Sequence, residues 1–557
     1  MLTWLQGTCL AGVALIAAWA FWKAYLSRFV EVRRPIPESA YRLVFAAIVA
    51  SLSQASAGDL HALFLPAPRC HGAGLLALEP FAGVCLGGWL AARSSMRGLM
   101  RCLSRAAVVM TAAFLVFGAA ILTVRRLRHP AGPNVLLICV DTLRADHLGC
   151  YGYSRDTSPH LDALAARCAL FDRAFSNAPW TKPSVAAVFT SLVPTVYGAI
   201  GPSDSLGPQF ITLAEVMNEA GYRTLFFNGG NATIEGLGLE HGFQTVVSLH
   251  DTNGSLITDS VVDNLGKPTA RRFFAYVQLM DVHVPYSLGK HTNQFEHGVR
   301  PGYIYPGDTS ASLIRRLTAG GPMPAAARDN LVSLYDGQIR TADGHIGRLL
   351  SALRTTGLDR NTLVVVFADH GEELWDHGGY EHGHTLYHEL LHVPLIVAGP
   401  GVAPAHHGEV VRLVYLAPTI LRLVGLDPRL LHGSGRPFLP EEEQGRSHRQ
   451  RSVVATGTLY GDEKYCLMTG GWKVILDTGW RSGKLLLPGW RRGPRVELYD
   501  LTRDPGELHN VAGVSPRRAE MVRALFARLG GTIGWGGRSA SPPPDRLQRL
   551  RSLGYAE

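Results

Sequence analysis

An α/β fold built on a largely parallel sheet is what this chain predicts, and three observations carry the prediction. From Asn134 onward, short apolar runs alternate with stretches of helical spacing, the pattern of strand–helix–strand units. Two of the runs, residues 135–140 (VLLICV) and 362–368 (TLVVVFA), carry no charge, as strands covered on both faces do. Each is followed at once by an aspartate, Asp141 and Asp369.

The elements can be taken in order. Residues 1–130 form an apolar region of different character. Residues 2–22 and 106–124 are uncharged, each about the ~20 residues a helix needs to cross ~30 Å of hydrocarbon. Two weaker candidates lie between them: residues 43–65, with Asp59 and His61, and residues 72–92, with Glu79 and Pro80. Lys23, Arg28, Arg33, Arg34 and Arg42 follow the first run, and Arg93, Arg97, Arg101 and Arg105 precede the last. If both basic loops are cytoplasmic, four spans put residues 131–557 outside. Arg125, Arg126 and Arg128 count against that arrangement. A cleaved signal peptide is the plainer alternative for the first run, but residues 1–7 lack the usual basic start.

Charge supports the same division. The chain has 557 residues, 46% hydrophobic and 18% charged, with a net charge of +9. Residues 1–133 hold 13 basic and 4 acidic residues, and the remainder holds 41 of each. The positive excess therefore belongs to the apolar quarter, and nucleic acid is not expected as a partner. The eight cysteines include no CxxC pair, so neither a zinc knuckle nor a redox motif is indicated.

Beyond residue 130, a catalytic domain is expected over 131–450, with strands at 135–140, 224–227, 273–279 (FFAYVQL) and 362–368. Residues 161–169 and 330–355 have helical spacing. A C-terminal α+β subdomain is expected over 451–540, with short strands and a helix near 517–529. A Pro-rich joint at 541–545 opens a tail to residue 557.

The chemistry is expected where the buried strands end. Ligands of open α/β sheets sit beyond the carboxyl ends of strands, and Asp141, Asp369 and His370 lie there. Two carboxylates and an imidazole make a metal site, suited to Zn²⁺ or Mn²⁺ and less to Mg²⁺ or Ca²⁺. The plainer reading is that each aspartate caps a following helix. Thr181, in Trp180-Thr-Lys-Pro-Ser, is a weak nucleophile alone, and a bound divalent cation lowers the pKa of such a hydroxyl. Thr181 or Ser184 could equally be an N-cap, and Lys182 could neutralise an ester oxygen or face solvent. His370, His377, His382, His384 and His388 fall within nineteen residues, a density that favours a functional role for at least one. His382 or His384 could hold a second metal, bind the transferred group or act as a general acid.

Taken together, these residues resemble the sulfatase branch of the alkaline phosphatase superfamily. Residues 133–149 (PNVLLICVDTLRADHLG), 157–165 (TSPHLDALA), 362–374 (TLVVVFADHGEEL) and 497–510 (ELYDLTRDPGELHN) carry the resemblance in order. It implies an alkaline-phosphatase/sulfatase-like fold: a mostly parallel sheet flanked by helices, a smaller C-terminal subdomain and, here, an N-terminal membrane bundle. It also implies a substrate-contacting role for His283 in His283-Val-Pro-Tyr286, and for His382 or His384 where sulfatases carry a lysine.

Departures from the family pattern shape the expected function. Its Cys/Ser-x-Pro-x-Arg motif is Thr181-Lys-Pro-Ser-Val185 here, and its second metal aspartate is Thr142. Oxidation of a threonine gives a ketone, so the formylglycine route should fail. The set Asp141, Thr181, Asp369 and His370 resembles that of superfamily members that use threonine directly, among them membrane enzymes that transfer phosphoethanolamine or phosphoglycerol. The expectation is a membrane-anchored, metal-dependent hydrolase or transferase acting outside the cytoplasm on a glycan- or lipid-linked phosphate ester. The alternatives are a sulfuric ester hydrolase without formylglycine, and an inactive pseudoenzyme that binds a glycan or partner.

Overall fold

A computed structural model describes residues 132–530 other than 199–200, 202–203, 230–233, 235–236, 250–253, 268–271, 285, 287–290, 292–293, 296–323, 434, 439–451 and 479–495. The chain divides into two compact units at residues 127 and 128, and every described residue belongs to the second. The four apolar runs of residues 1–130, and the tail beyond 530, lie outside the described residues. Among those described, no helix is long and apolar enough to cross a membrane.

The large sheet contains β1 (Asn134–Val140), β2 (Ala169–Phe175), β3 (Arg223–Asn228), β4 (Thr245–Ser248), β5 (Phe273–Leu279) and β6 (Thr362–Phe367). After the short hairpin of β7 (Glu373–Leu374) and β8 (Tyr380–Glu381), it is completed by β9 (His392–Val393), β10 (Leu395–Ala398) and β11 (Ala405–Arg412). Its order is β11-β2-β10-β6-β1-β5-β3-β4, with β9 on β2. The run β6-β1-β5-β3-β4 is parallel, while β10 is antiparallel to both of its neighbours. β1, β5 and β6 are buried along their whole length, which is why their sequences are apolar runs rather than alternations.

Register positions the chemistry. Cys139 pairs with Phe367 across β1 and β6, so two further residues set Asp141 beside Asp369. On the other side Val140 pairs with Leu279, and the Asp141 amide donates to the Leu279 carbonyl at 3.0 Å.

Seven helices bear on the account: α1 (Pro159–Ala165), α2 (Thr181–Thr190), α3 (Leu213–Glu219), α4 (Gly254–Leu265), α5 (Ala325–Thr355), α6 (Leu416–Leu423) and α7 (Arg518–Gly530). Along α5, Ile339, Ile346, Leu349 and Leu353 are buried, the helical spacing read from the sequence. Its buried acids do separate work. Asp343 accepts from the His160 and Leu161 amides at 3.0 and 2.8 Å, capping α1 from outside. Asp336 accepts from Arg155 and from the Tyr153 hydroxyl, each at 2.8 Å, and pairs with His147 at 2.8 Å. Both acids thus anchor the loop that leaves β1. One expectation is corrected: residues 161–169 are not one helix, because α1 ends at Ala165 and β2 begins at Ala169.

A second, antiparallel sheet consists of β12 (Val453–Thr456), β13 (Lys464–Thr469), β14 (Trp472–Asp477) and β15 (Val496–Asp500). One face packs on Met521, Val522 and Leu525 of α7. The other packs Val453, Ala455, Cys466 and Ile475 against Phe175, Leu386 and Leu391 of the larger part.

Candidate active site

Thr181 is the first residue of α2, brought there by an extended Trp180 (φ −159°). Pro183 stands in the first turn, where a missing amide proton costs nothing. The start of α2 is held from three directions. Trp180 Nε1 donates to the Gly457 carbonyl at 2.6 Å, Ser184 Oγ donates to the Asp369 carbonyl at 2.6 Å, and Tyr197 donates its hydroxyl to the Pro183 carbonyl. Neither Thr181 nor Ser184 is an N-cap: Trp180 occupies that position and makes no side-chain cap. The Thr181 hydroxyl instead lies 3.3 and 3.5 Å from the Asp141 carboxylate oxygens and 3.2 Å from His370 Nε2.

Around that hydroxyl the sequence-predicted set assembles. Asp141, Asp369 and His370 are wholly buried, and each offers a ligand atom within 4.8 Å of the others. His370 Nε2 lies 3.4 Å from Asp141 and 3.6 Å from Asp369, while its Nδ1 meets the Gly371 carbonyl at 2.9 Å. Capping is excluded for both aspartates. Asp369 is followed by irregular chain, and the short 3₁₀ turn after Asp141 starts only at Ala145.

The electrostatics of this cluster call for a cation. Both Asp369 oxygens are buried and accept no well-formed hydrogen bond. Burial, and then the adjacent Asp141 charge, push the Asp369 carboxyl well above the usual carboxylate range. Glu372 is a third fully buried acid; burial pushes its carboxyl up to about 8, against the pull of His283, and its Oε2 is unpartnered. Isolated buried charges cost several kcal/mol, and a divalent ion among oxygen and imidazole donors offsets that cost. The donors present therefore fit a metal held by Asp141, Asp369, His370 and Thr181.

Thr142, which stands where the family has a second metal aspartate, takes a left-handed backbone (φ 62°). A β-branched residue there is strained. Tyr335 braces the conformation by donating to the Thr142 carbonyl at 2.7 Å and accepting from the Arg144 amide at 2.9 Å.

The histidines separate into two groups. The His382 ring lies 4.5 Å from His370 and 5.0 Å from His283 between centroids. Burial, and next the neighbouring His370, hold its pKa well below the ordinary imidazole value. His384, by contrast, pairs through Nε2 with Glu373 at 2.7 Å, so of the two it is His382 whose ring lies beside His370. His377 joins Glu389 through Nδ1 at 2.7 Å and the Glu507 carbonyl through Nε2 at 3.1 Å. Glu373, His377 and Glu389 also place ligand atoms within 4.8 Å. Both His377 nitrogens face acceptors, however, so the cation there is the imidazolium itself, its pKa raised to about 9 chiefly by Glu389 against burial.

Other expectations are corrected. Lys182 is buried and donates to the Asp204 carbonyl at 2.8 Å, so it does not face solvent. Val185 is core, so α2 offers no arginine. Sequence reasoning missed Gln278, which donates to Asp141 Oδ2 at 2.9 Å, and Glu372, which meets His382 Nδ1 at 2.9 Å. A lone amide inside FFAYVQL, and an acid directly after Asp369-His-Gly, were the available signals.

With the geometry in place, the comparisons agree on class. The sulfatase family model matches residues 133–426, more than half of the chain, and the chain belongs to that family. It is thereby a hydrolase of the sulfatase and alkaline phosphatase superfamily. Delta 4,5-hexuronate-2-O-sulfatase of Bacteroides thetaiotaomicron is 25% identical over 417 residues, covering 68% of this chain and 84% of that protein. Human arylsulfatase K is 25% identical over 474 residues, covering 75% of this chain and 85% of that protein. Among solved structures, the phosphonate monoester hydrolase of Silicibacter pomeroyi superposes with a TM-score of 0.58 at 20% identity, covering 74% and 98% of the two chains. A 2-O glycosaminoglycan sulfatase superposes with a TM-score of 0.56 at 21% identity, covering 75% and 96%. The fold is thus shared by proteins named for sulfate and for phosphonate esters, and fold alone does not choose between them.

Proposed function

We propose that the protein is a membrane-anchored enzyme that cleaves or transfers phosphate esters outside the cytoplasm through a covalent threonine intermediate. The observation that carries this reading is the Thr181 hydroxyl, lying at the first turn of α2 within 3.5 Å of Asp141 and His370. Asp141, Asp369, His370 and Thr181 would hold one divalent ion, Zn²⁺ or Mn²⁺ suiting this donor set best. When bound, that ion supplies positive charge that lowers the hydroxyl pKa and screens the substrate anion.

The chain's own residues do the rest. The amide-rich start of α2 favours an anionic group in front of Thr181. Thr181 Oγ1 forms a bond to phosphorus as the bond to the leaving oxygen breaks, giving a phosphothreonine ester. His382, whose Nδ1 is occupied by Glu372, has Nε2 left to take the proton that the Thr181 hydroxyl gives up on attack and to pass it to the leaving oxygen. It then takes one from the water or alcohol that opens the ester. His283, beside His382, contacts the transferred group.

The similarity to named sulfatases favours a second reading, a sulfuric ester hydrolase that works without formylglycine. The threonine at 181 and the core Val185 oppose it, since sulfate recognition uses dense positive contacts. The discriminating experiment is metal analysis of the full chain, then turnover of phosphomonoesters, phosphodiesters and aryl sulfates by wild type, T181A, T181S and T181C. Phosphate ester turnover that T181S keeps within about tenfold and T181A loses by at least ~10³-fold supports the proposal. Aryl sulfate turnover alone, or efficient sulfatase activity gained by T181C, supports the rival.

A further inference from the structure

We propose that Glu372 is the positioning residue of His382: its carboxyl grips Nδ1 and leaves Nε2 as the only ring nitrogen able to meet a substrate. Glu372 Oε1 lies 2.9 Å from Nδ1, and the Glu372 side chain is fully buried while His382 is about one-tenth exposed. The His382 ring is flanked by His370 at 4.5 Å and His283 at 5.0 Å, so a turned ring would lose both neighbours. The chain around Glu372 is fixed as well. Arg144 donates to the Glu372 carbonyl at 3.1 Å and to Asp376 at 2.7 Å, and the Gly371 amide donates to the Leu390 carbonyl at 2.9 Å. Gly371 packs so closely on the Glu389 carbonyl that a Cβ would lie 1.9 Å from it. A carboxyl on a rigid turn, holding the far nitrogen of a buried imidazole, is the arrangement that orients a catalytic base.

This inference rests on His382 carrying the proton in the proposed reaction. The plainer role for Glu372 is a counter-charge for the metal, and the two roles differ in what they tolerate. E372Q removes the charge but keeps an oxygen in reach of Nδ1, whereas E372D keeps the charge and withdraws it by one carbon. The test is kcat of the full-length, metal-loaded protein on bis(4-nitrophenyl) phosphate, with bound metal and thermal midpoint measured alongside. We expect E372Q within about fivefold of wild type and E372D lowered roughly 10–100-fold with metal retained, the usual cost of disturbing a supporting contact. In an H382A background the E372D change should cost less than about threefold, because its effect passes through the missing ring. Equal E372D costs in both backgrounds, or an inactive, metal-poor E372Q beside an active E372D, would overturn the positioning role alone. An H382A variant with wild-type kcat would overturn both that role and the assignment of His382 in the reaction. A crystal structure of E372D with the His382 ring unmoved would overturn the positioning role without any substrate.

Discussion

At the scale of single residues, the proposed chemistry turns on one threonine hydroxyl and two buried carboxylates. Neither Asp369 oxygen accepts a well-formed hydrogen bond, and Asp141 crowds it electrostatically. Asp369→Asn is therefore expected to abolish bound metal and turnover. It should also raise the thermal midpoint of the metal-free protein, since a neutral amide removes a buried repulsion. Elemental analysis and calorimetry check both parts; stoichiometric metal in the variant would refute the ligand assignment. Much of this was legible in the sequence, because an aspartate after an apolar strand announces a sheet edge, and two of them announce a site. What was not legible is which rings converge. His382 and His384 are separated by the one residue of a tight turn at Gly383 (φ 81°), and that turn sends one beside His370 and the other to Glu373. No spacing rule separates them.

At the scale of elements, the segment from His370 to Val393 is fastened by charge. His377 sits between Glu389 and the Glu507 carbonyl. Lys473 of β14 meets the two Glu507 oxygens at 2.6 and 2.9 Å, both side chains fully buried. The Glu507 Oε2 also accepts from the His388 amide at 3.0 Å. The small sheet is thus tied to the loop that carries His382. Lys473→Met leaves the Glu507 carboxylate buried without its cation and should cost about 3–5 kcal/mol in unfolding free energy; a loss below about 1 kcal/mol by denaturant titration would contradict the assigned role. His377 gives a pH dependence with a definite sign. Its pKa is raised to about 9, so its contribution is complete below the unfolded value of about 6.5 and fades as pH climbs through 9. It amounts to roughly 3 kcal/mol at most. Unfolding midpoints of wild type and His377→Gln should differ most near pH 6 and converge near pH 10. A gap that stays constant across that range would exclude the ion pair. The ties from Glu507 to His377 and His388 join residues 130 and 119 positions apart, and no spacing rule in the sequence announces them. The strand β2 was missed for a related reason: Ala169–Phe175 contains Asp172 and Arg173, which break the kind of apolar run that marks β1, β5 and β6.

At the scale of the molecule, the parallel sheet and its site were readable because buried strands write themselves as uncharged runs. The antiparallel strands β9 and β10 were not, since runs of two and four residues leave too little period to detect. The apolar first quarter, whose basic loops set the expected orientation, adds a prediction of its own. A reporter fused after residue 557 should register outside the cytoplasm, with the protein remaining in the membrane fraction after a carbonate wash. A cytoplasmic reporter signal would contradict the four-span arrangement. The central claim, that Thr181 is a nucleophile, is tested most directly by trapping. The metal-loaded full chain is mixed with a phosphate ester it turns over, quenched in acid within a turnover, and digested. The peptide containing Thr181 should then carry the substrate's phosphoryl group on that residue, and the adduct should vanish in Thr181→Ala. An unmodified Thr181 peptide throughout turnover, together with wild-type rates for Thr181→Ala, would contradict the account.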